Sequence, residues 1–404
     1  MTRDHMRLTL RHLVIILTAL LLTVSSAFAR TVSRHSTRHH GKIVESAHAQ
    51  KRMSHLSHSR RTARLVRSRR GRHHRYYEHF TGNSFAENIT DGDQTAGEDP
   101  IVRQAAIDAL GNMNGTALAI DPTSGRILAM VNQKLALSAG TMPCSTIKLA
   151  VGLAGLREGV ITKDTMVNLG GWRMNLTQAL AHSNNVYFEV LGRKLGFERV
   201  KHYANEFGLG ELAGYNINGE HLGTYPDEEI PQAEGGVGRM CSFGEGINMT
   251  PLQLGALTAA IANGGTLYYL QHPTTADEAV EFTPKVKRIL PIGDVIPQMQ
   301  DGMLGATHFG TARSLRASFR EMPILGKTGT CSKDGVRFGW FTSYAETPYG
   351  RIVTVFFLEG GRPTFGPKAA ELTGKFYRGL YDRNYFEMAR TNQERSRTMI
   401  GAAQ

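Results

Sequence analysis

Charge divides this chain before anything else does. Residues 1–80 hold about 17 of the 47 Lys and Arg against three acids, Asp4, Glu45 and Glu78. The remainder carries about 30 basic against 32 acidic residues, so the net charge of +12 belongs almost wholly to the front of the chain. A like-charged run with few apolar positions cannot collapse around a core. Residues 30–80 are rich in Arg, His and Ser, as in R-S-R-R-G-R-H-H-R at 67–75, and 81–100 turn acidic and polar, ending in E-D-P. We expect a disordered linker over 30–100, basic and then acidic, and a folded domain over 101–404. With 41% of its 404 residues hydrophobic, the chain can bury a sizeable core.

Arg3, Arg7 and Arg11 precede an apolar run from Leu13 to Val24, and Ala27-Phe28-Ala29 supplies small residues for cleavage. Residues 1–29 therefore read as an export signal, either removed or, because the run approaches the length of a bilayer span, retained as an anchor. Arg30, Arg34 and Arg38 follow the run directly, and positive charge there resists translocation. The basic stretch 30–80 reads as a solvated spacer or as an electrostatic contact with anionic headgroups or polymers outside the cytosol. Because that charge is not spread over a folded surface, no nucleic-acid partner is expected. The histidines show no ligand spacing such as H-E-x-x-H, so no metal is expected.

From Ile101 the pattern becomes globular. V-R-Q-A-A-I-D-A-L reads as a helix, and T-A-L-A-I and R-I-L-A-M-V read as a hairpin turned by D-P-T-S-G at 121–125. Ile147, Leu149, Val151, Leu153 and Leu156 suit a buried helix over 145–157. More helix is expected from Leu176 to Phe207, closed by F-G-L-G, and a helix over 249–265 with Pro at its start and Asn-Gly-Gly at its end. Strands follow at 324–330, 338–345 and 351–358, with P-Y-G turning the last pair, and a final helix runs from about Lys368 to Met388. The class is α+β: one antiparallel sheet flanked by helices, plus a helical half.

Three motifs stand in order: S-T-I-K (145–148), S-N-N (183–185) and K-T-G-T (327–330). Each alone is a weak signal, but together they fall on the elements that their chemistry requires. Ser and Lys three apart share a helix face, so the Lys148 amine can take the Ser145 proton as the oxygen attacks. Burial and a neighbouring cation lower a lysine's pKa enough for this, and Lys327 on a facing strand is such a cation. Ser145 at a helix start aims N–H groups at a developing oxyanion, with Thr330 N–H as the second donor. Ser183 is expected to relay a proton from Lys148 to the leaving nitrogen, and Asn185 to donate to the substrate amide carbonyl. Lys327 with the Thr328 and Thr330 hydroxyls suits a terminal carboxylate, and Gly329 lets a substrate backbone lie against the strand.

These motifs resemble the set shared by penicillin-binding proteins and serine β-lactamases, and the resemblance covers nearly all of 101–404. N-G-T-A-L-A-I-D-P-T-S-G-R-I-L-A-M-V is similar to the family's first hairpin, and G-E-G-I-N-M-T-P-L-Q-L-G with A-I-A-N-G-G to its long helix. H-S-N-N-V-Y-F-E-V-L-G resembles the division and elongation transpeptidases. The resemblance implies a β-lactamase/transpeptidase-like fold whose serine is acylated by the D-Ala-D-Ala end of peptidoglycan stem peptides and passes the acyl group to an amine or to water. It also implies β-lactams as covalent inhibitors, no cofactor, and a place on the periplasmic side of the inner membrane, anchored if the signal is retained. Cell-wall polymers are then a candidate partner for residues 30–80. No glycosyltransferase domain is expected, and the linker stands where the family usually carries a pedestal domain.

The nearest alternative is a β-lactamase, which needs a deacylating base; Glu211 and Glu220 fall in the corresponding region, although G-L-G-E-L-A-G-Y-N-I-N-G-E resembles the transpeptidase connector. A further alternative is a non-turnover penicillin-sensing or scaffold module. The three cysteines allow one bridge and one free thiol. The resemblance implies a Cys144–Cys331 disulfide, because both residues adjoin motifs that must offer N–H groups to one oxyanion, with Cys241 left free.

Overall fold

The computed structural model describes residues 80–387, with 348 and 349 excepted. Residues 1–29, expected as an export signal, the basic segment up to residue 79, the Pro348-Tyr349 part of the last turn and Met388 lie outside the described residues. Among those described, no helix is long and apolar enough to cross a membrane.

Helix α1 (Pro100–Leu110) starts where Asp99 accepts hydrogen bonds from the N–H groups of Ile101 and Val102, with Pro100 in the first turn where no N–H is missed. Strands β1 (Gly115–Ile120) and β2 (Ile127–Val131) form the expected hairpin. Its turn closes because the Asp121 carboxylate accepts from Thr123 N–H and hydroxyl, and Gly125 takes φ 76°.

The nucleophile region does not start as an α-helix. Cys144–Ile147 is a 3₁₀ turn that runs into α2 (Lys148–Arg157). The helical stretch expected from 176 to 207 consists of three helices: α3 (Leu176–Ala181), α4 (Asn185–Leu195) and α5 (Phe197–Glu206). The first break is at Ser183, whose φ of 53° is left-handed, after which Asn184 caps α4 through Tyr187 N–H. The second is at Gly196, φ 80°. A left-handed serine costs about 1–2 kcal/mol, and it turns the chain so that Ser183 leaves the helical path. Helix α6 (Gly236–Phe243) packs against α4, and α7 (Pro251–Asn263) carries a capping box between Thr250 and Gln253 and ends at Gly264. The α7 helix is buried on nearly every side, which is why its sequence shows no polar face.

Helix α8 (Ile296–His308) precedes strands β3 (Ile324–Lys333), β4 (Val336–Thr347) and β5 (Gly350–Gly360), and α9 (Gly366–Asp382) closes the described fold. Strands β3 and β4 are longer than the apolar runs because Asp334-Gly335, both at positive φ, make a two-residue turn that pairs Lys333 with Val336. The sheet is antiparallel in the order β2-β1-β5-β4-β3, so β3 is an edge strand. Both faces are covered: Val353, Val355 and Phe357 of β5 join the core on the helical side, while Ile352, Phe356 and Leu358 join the core beneath α1 and α9. That explains continuous apolar runs in place of alternation.

Residues 80–99, which composition places in the linker, are packed on the domain. They are held by polar contacts and so leave no apolar signature. Asn114 N–H donates to Ser84 C=O, Gly361 N–H to Ser84 Oγ, and Arg103 reaches Asp93 at 2.7 Å and Glu98 at 2.8 Å. Asp99 N–H donates to Leu128 C=O and Met130 N–H donates to Glu98 Oε1, so this segment covers the outer edge of β2.

Candidate active site

Three elements converge on Ser145. Lys148 is the first residue of α2, three positions on, and its Nζ lies 3.0 Å from Ser145 Oγ. The left-handed turn at Ser183 brings the Ser183 carbonyl to 2.8 Å and Asn185 Oδ1 to 2.7 Å from the same nitrogen, with Ser183 Oγ at 3.3 Å. From the other side, Lys327 on β3 donates to Ser183 Oγ at 2.8 Å and to its neighbour's carbonyl, Thr328 O, at 2.9 Å. Ser183 Oγ therefore lies between two amines.

Lys148 and Lys327 are both 0% exposed. Burial, and after it the Lys327 charge, hold the Lys148 amine well below the usual lysine range. Burial alone pushes Lys327 down to about 7. A neutral Lys148 amine has two N–H donors and one lone pair. The Ser183 carbonyl and Asn185 Oδ1 can only accept, so they take both donors, and the lone pair is left for the Ser145 hydroxyl. Among the described residues the Asn185 NH₂ group has no partner, which leaves it for a second one.

Ser145 N–H has no hydrogen-bond partner among the described residues. On β3, the carbonyls of Ile324 and Thr328 accept from side chains, Thr307 Oγ1 at 2.7 Å and Lys327 Nζ, so even-numbered residues face away from β4. By that alternation Thr330 N–H also points to the open edge. Cys144 and Cys331 are joined by a disulfide with Cα atoms 5.6 Å apart, next to both donors, and Cys241 is a buried free thiol.

The K-T-G-T side chains differ from their expected arrangement. Gly329 does not present its bare face to the cleft: a Cβ there would lie 2.9 Å from Pro143 O, so the glycine lets β3 pack onto the nucleophile turn. Thr328 is only 3% exposed, and its hydroxyl is 2.6 Å from that of Thr311, a residue with no motif around it. Thr330 is exposed, and its Oγ1 accepts from Gly366 N–H at 2.8 Å. The candidate deacylating carboxylates are engaged away from the cluster: Glu211 with Lys287 and Arg288, Glu220 with the N–H groups of Ala213 and Gly214.

An antiparallel sheet covered on both faces, with a serine–lysine cluster beside its edge strand, defines the α+β fold of penicillin-binding transpeptidase domains. The fold matches the D,D-transpeptidase domain of a peptidoglycan glycosyltransferase from Eggerthella lenta (TM-score 0.56, 20% identity, 70% of this chain and 81% of that one). It also matches Pseudomonas aeruginosa PBP2 (TM-score 0.59, 24% identity, 71% of this chain and 74% of that one). The family model for the penicillin binding protein transpeptidase domain matches residues 115–378, and the chain belongs to that family. Relatives include the peptidoglycan D,D-transpeptidase MrdA of Acinetobacter baumannii, 25% identical over 342 residues, 65% of this chain and 50% of that protein. FtsI of Escherichia coli is 26% identical over 317 residues (68% and 50%), and stage V sporulation protein D of Bacillus subtilis 27% over 260 (54% and 40%). This chain spans two fifths to one half of the length of these relatives.

Proposed function

We propose that the chain is a D,D-transpeptidase or D,D-carboxypeptidase of peptidoglycan stem peptides, acting through an acyl-enzyme on Ser145. The observation that carries this reading is the buried Lys148 amine, with both N–H groups occupied and its lone pair left to Ser145 Oγ at 3.0 Å. As Oγ bonds to the carbonyl carbon of the penultimate D-alanine, its proton passes to Lys148 Nζ. The oxyanion is held by the N–H groups of Ser145 and Thr330. Collapse breaks the C–N bond, and the proton travels from Lys148 through the Ser183 hydroxyl to the departing amine of D-alanine. An acceptor amine or water then attacks the ester by the reverse relay, losing its proton to Lys148 and restoring the Ser145 hydroxyl. Asn185 NH₂ steadies the substrate amide carbonyl, Lys327 keeps Ser183 oriented, and the substrate backbone runs along the open edge of β3 as an added strand.

The engagement of Glu211 and Glu220 elsewhere favours this reading over a β-lactamase, and a complete proton path favours it over a non-turnover sensor. The basic segment 30–80 is read as an electrostatic contact with anionic membrane or wall polymers; its deletion should weaken salt-sensitive retention on such material without altering acylation. The central test exposes the protein to a fluorescent penicillin and a chromogenic cephalosporin. Stable labelling lost in Ser145→Ala supports the proposal, rapid cephalosporin turnover supports a lactamase, and the absence of labelling at Ser145 removes both.

A further inference from the structure

The reading above leaves a gap at the substrate's C-terminal carboxylate. Lys327 is enclosed and its donors are directed to Ser183 and Thr328 O, while the Thr328 side chain is nearly inaccessible. The residue that meets Thr328 is Thr311, on the loop that follows α8. Two contacts fix this loop. Thr311 N–H donates to Ala181 C=O at 3.0 Å, and Gly310 lies so close that a Cβ would fall 2.0 Å from the same oxygen. Ala181 is the last residue of α3, two before Ser183. Thr311 is thus held between the S-N-N turn and the K-T-G-T strand.

Hydroxyl chemistry gives the direction. Each hydroxyl has one proton, and one proton is spent in the 2.6 Å contact between Thr311 and Thr328. Neither hydroxyl has another hydrogen-bond partner among the described residues. Thr328 is closed off, whereas Thr311 is only partly buried. The arrangement that leaves no buried proton stranded has Thr328 donating to Thr311, and Thr311 offering its own proton outward. Thr330 is set in the same way: its oxygen accepts from Gly366 N–H, which can only donate, and among the described residues its proton has no acceptor. Threonines 328 and 330 are two apart on a strand and share a face.

We infer that Thr311 is a carboxylate-binding residue of this site, pairing with Thr330 to hold the two oxygens of the substrate's terminal carboxylate, with Thr328 behind it as the orienting partner. The inference rests on the peptidase reading of Ser145 and adds to it a residue that none of the three motifs contains.

The test compares a penicillin with its methyl ester, and so a charged acceptor with an uncharged one. Thr311→Val should slow acylation by the free acid about 10- to 100-fold, the range for losing one charge-assisted hydrogen bond, and change ester acylation less than twofold. Thr311→Ser should stay within about threefold of the native rate for both, and Thr311→Ala replaces the valine variant if that variant does not fold. Equal losses for acid and ester, or no loss for either, overturn the inference. If Ser145 in the native chain is acylated by neither compound, the proposed function falls. Thr311 is then judged by binding in Ser145→Ala, using an N-acyl-D-alanyl-D-alanine and its C-terminal amide. A preference for acid over amide that survives Thr311→Val overturns the inference, and its collapse supports it.

Discussion

Adding one methyl group at Gly329 should slow acylation of Ser145 about tenfold in a protein that still folds. The new Cβ would lie 2.9 Å from Pro143 O, 3.2 Å from Thr146 Cγ2 and 3.2 Å from Trp340 Cβ. Ordinary contact begins near 3.4 Å, so the strand and the nucleophile turn must part by about 0.5 Å. The turn cannot yield cheaply. Its Pro143 carbonyl accepts from Thr146 Oγ1 at 2.6 Å, Met142 O accepts from Trp340 Nε1 at 3.1 Å, and Cys144 is bonded to Cys331. The displacement therefore falls between Ser145 and Thr330, the two proposed oxyanion donors. A 1 Å misplacement costs about 10²-fold in rate, so half of that costs about tenfold. Overpacking adds about 1–3 kcal/mol of instability. Gly329 is not at positive φ, so the backbone itself tolerates alanine and the effect is steric. Stopped-flow acylation with a fluorescent penicillin, alongside thermal unfolding, measures both. A folded Gly329→Ala variant acylating at the native rate would falsify the claim that this glycine sets the distance between turn and strand.

Three further outcomes are expected. Lys148→Ala should slow acylation by at least about 10²-fold, followed by mass spectrometry of the labelled protein; an unchanged rate removes Lys148 as the base. Acid protonates Lys148 and consumes the lone pair, so acylation should fall as pH drops. Lys327→Met removes a charge that lowers the Lys148 pKa and should move this acid limb to higher pH, and a limb that stays put or moves down refutes the coupling. Replacing both Cys144 and Cys331 by serine opens a loop of 187 residues and should cost about 5 kcal/mol in the chain-entropy treatment. Denaturant unfolding measures that loss, while a native digest in which Cys241 is bridged to either residue contradicts the pairing.

The hairpin, the α7 helix and the three motifs were legible because each is written locally: in D-P-T-S-G, in a Pro start with an Asn-Gly-Gly stop, and in fixed spacings of Ser, Lys and Thr. What escaped was set by tertiary contact. The helical pattern runs on through Ser183, and only convergence with Lys148 and Lys327 makes a left-handed serine worth its cost there. Thr311 carries no motif, and its role depends on Thr328 and Ala181 meeting it from separate elements. Glycine in a strand, as at Gly329, permits close approach, but sequence does not say whether the neighbour is a substrate or, as here, the nucleophile turn. Residues 80–99 carry no apolar periodicity because charge and backbone contacts do most of the holding, with Ile89 alone of their aliphatic side chains packed against the core. The Asp334-Gly335 turn was readable and extends two strands beyond their apolar runs.

The covering of β2 by residues 93–99 has a consequence for the solubility of the chain. A sheet edge is a row of unsatisfied donors and acceptors that can template pairing with another molecule. On β3 the carbonyls of Ile324 and Thr328 are already taken by Thr307 and Lys327, and the rest of that edge is the stretch proposed to receive the substrate backbone. At the other border of the sheet, Asp99 N–H takes Leu128 C=O and Glu98 takes Met130 N–H, beside Gln271 on Ile127 N–H and Arg103 on Met130 C=O. A chain trimmed at residue 101, where composition alone would cut it, would keep every residue of the Ser145 cluster and yet uncover Leu128 C=O and Met130 N–H, two groups through which β2 could associate edge to edge with its own copies.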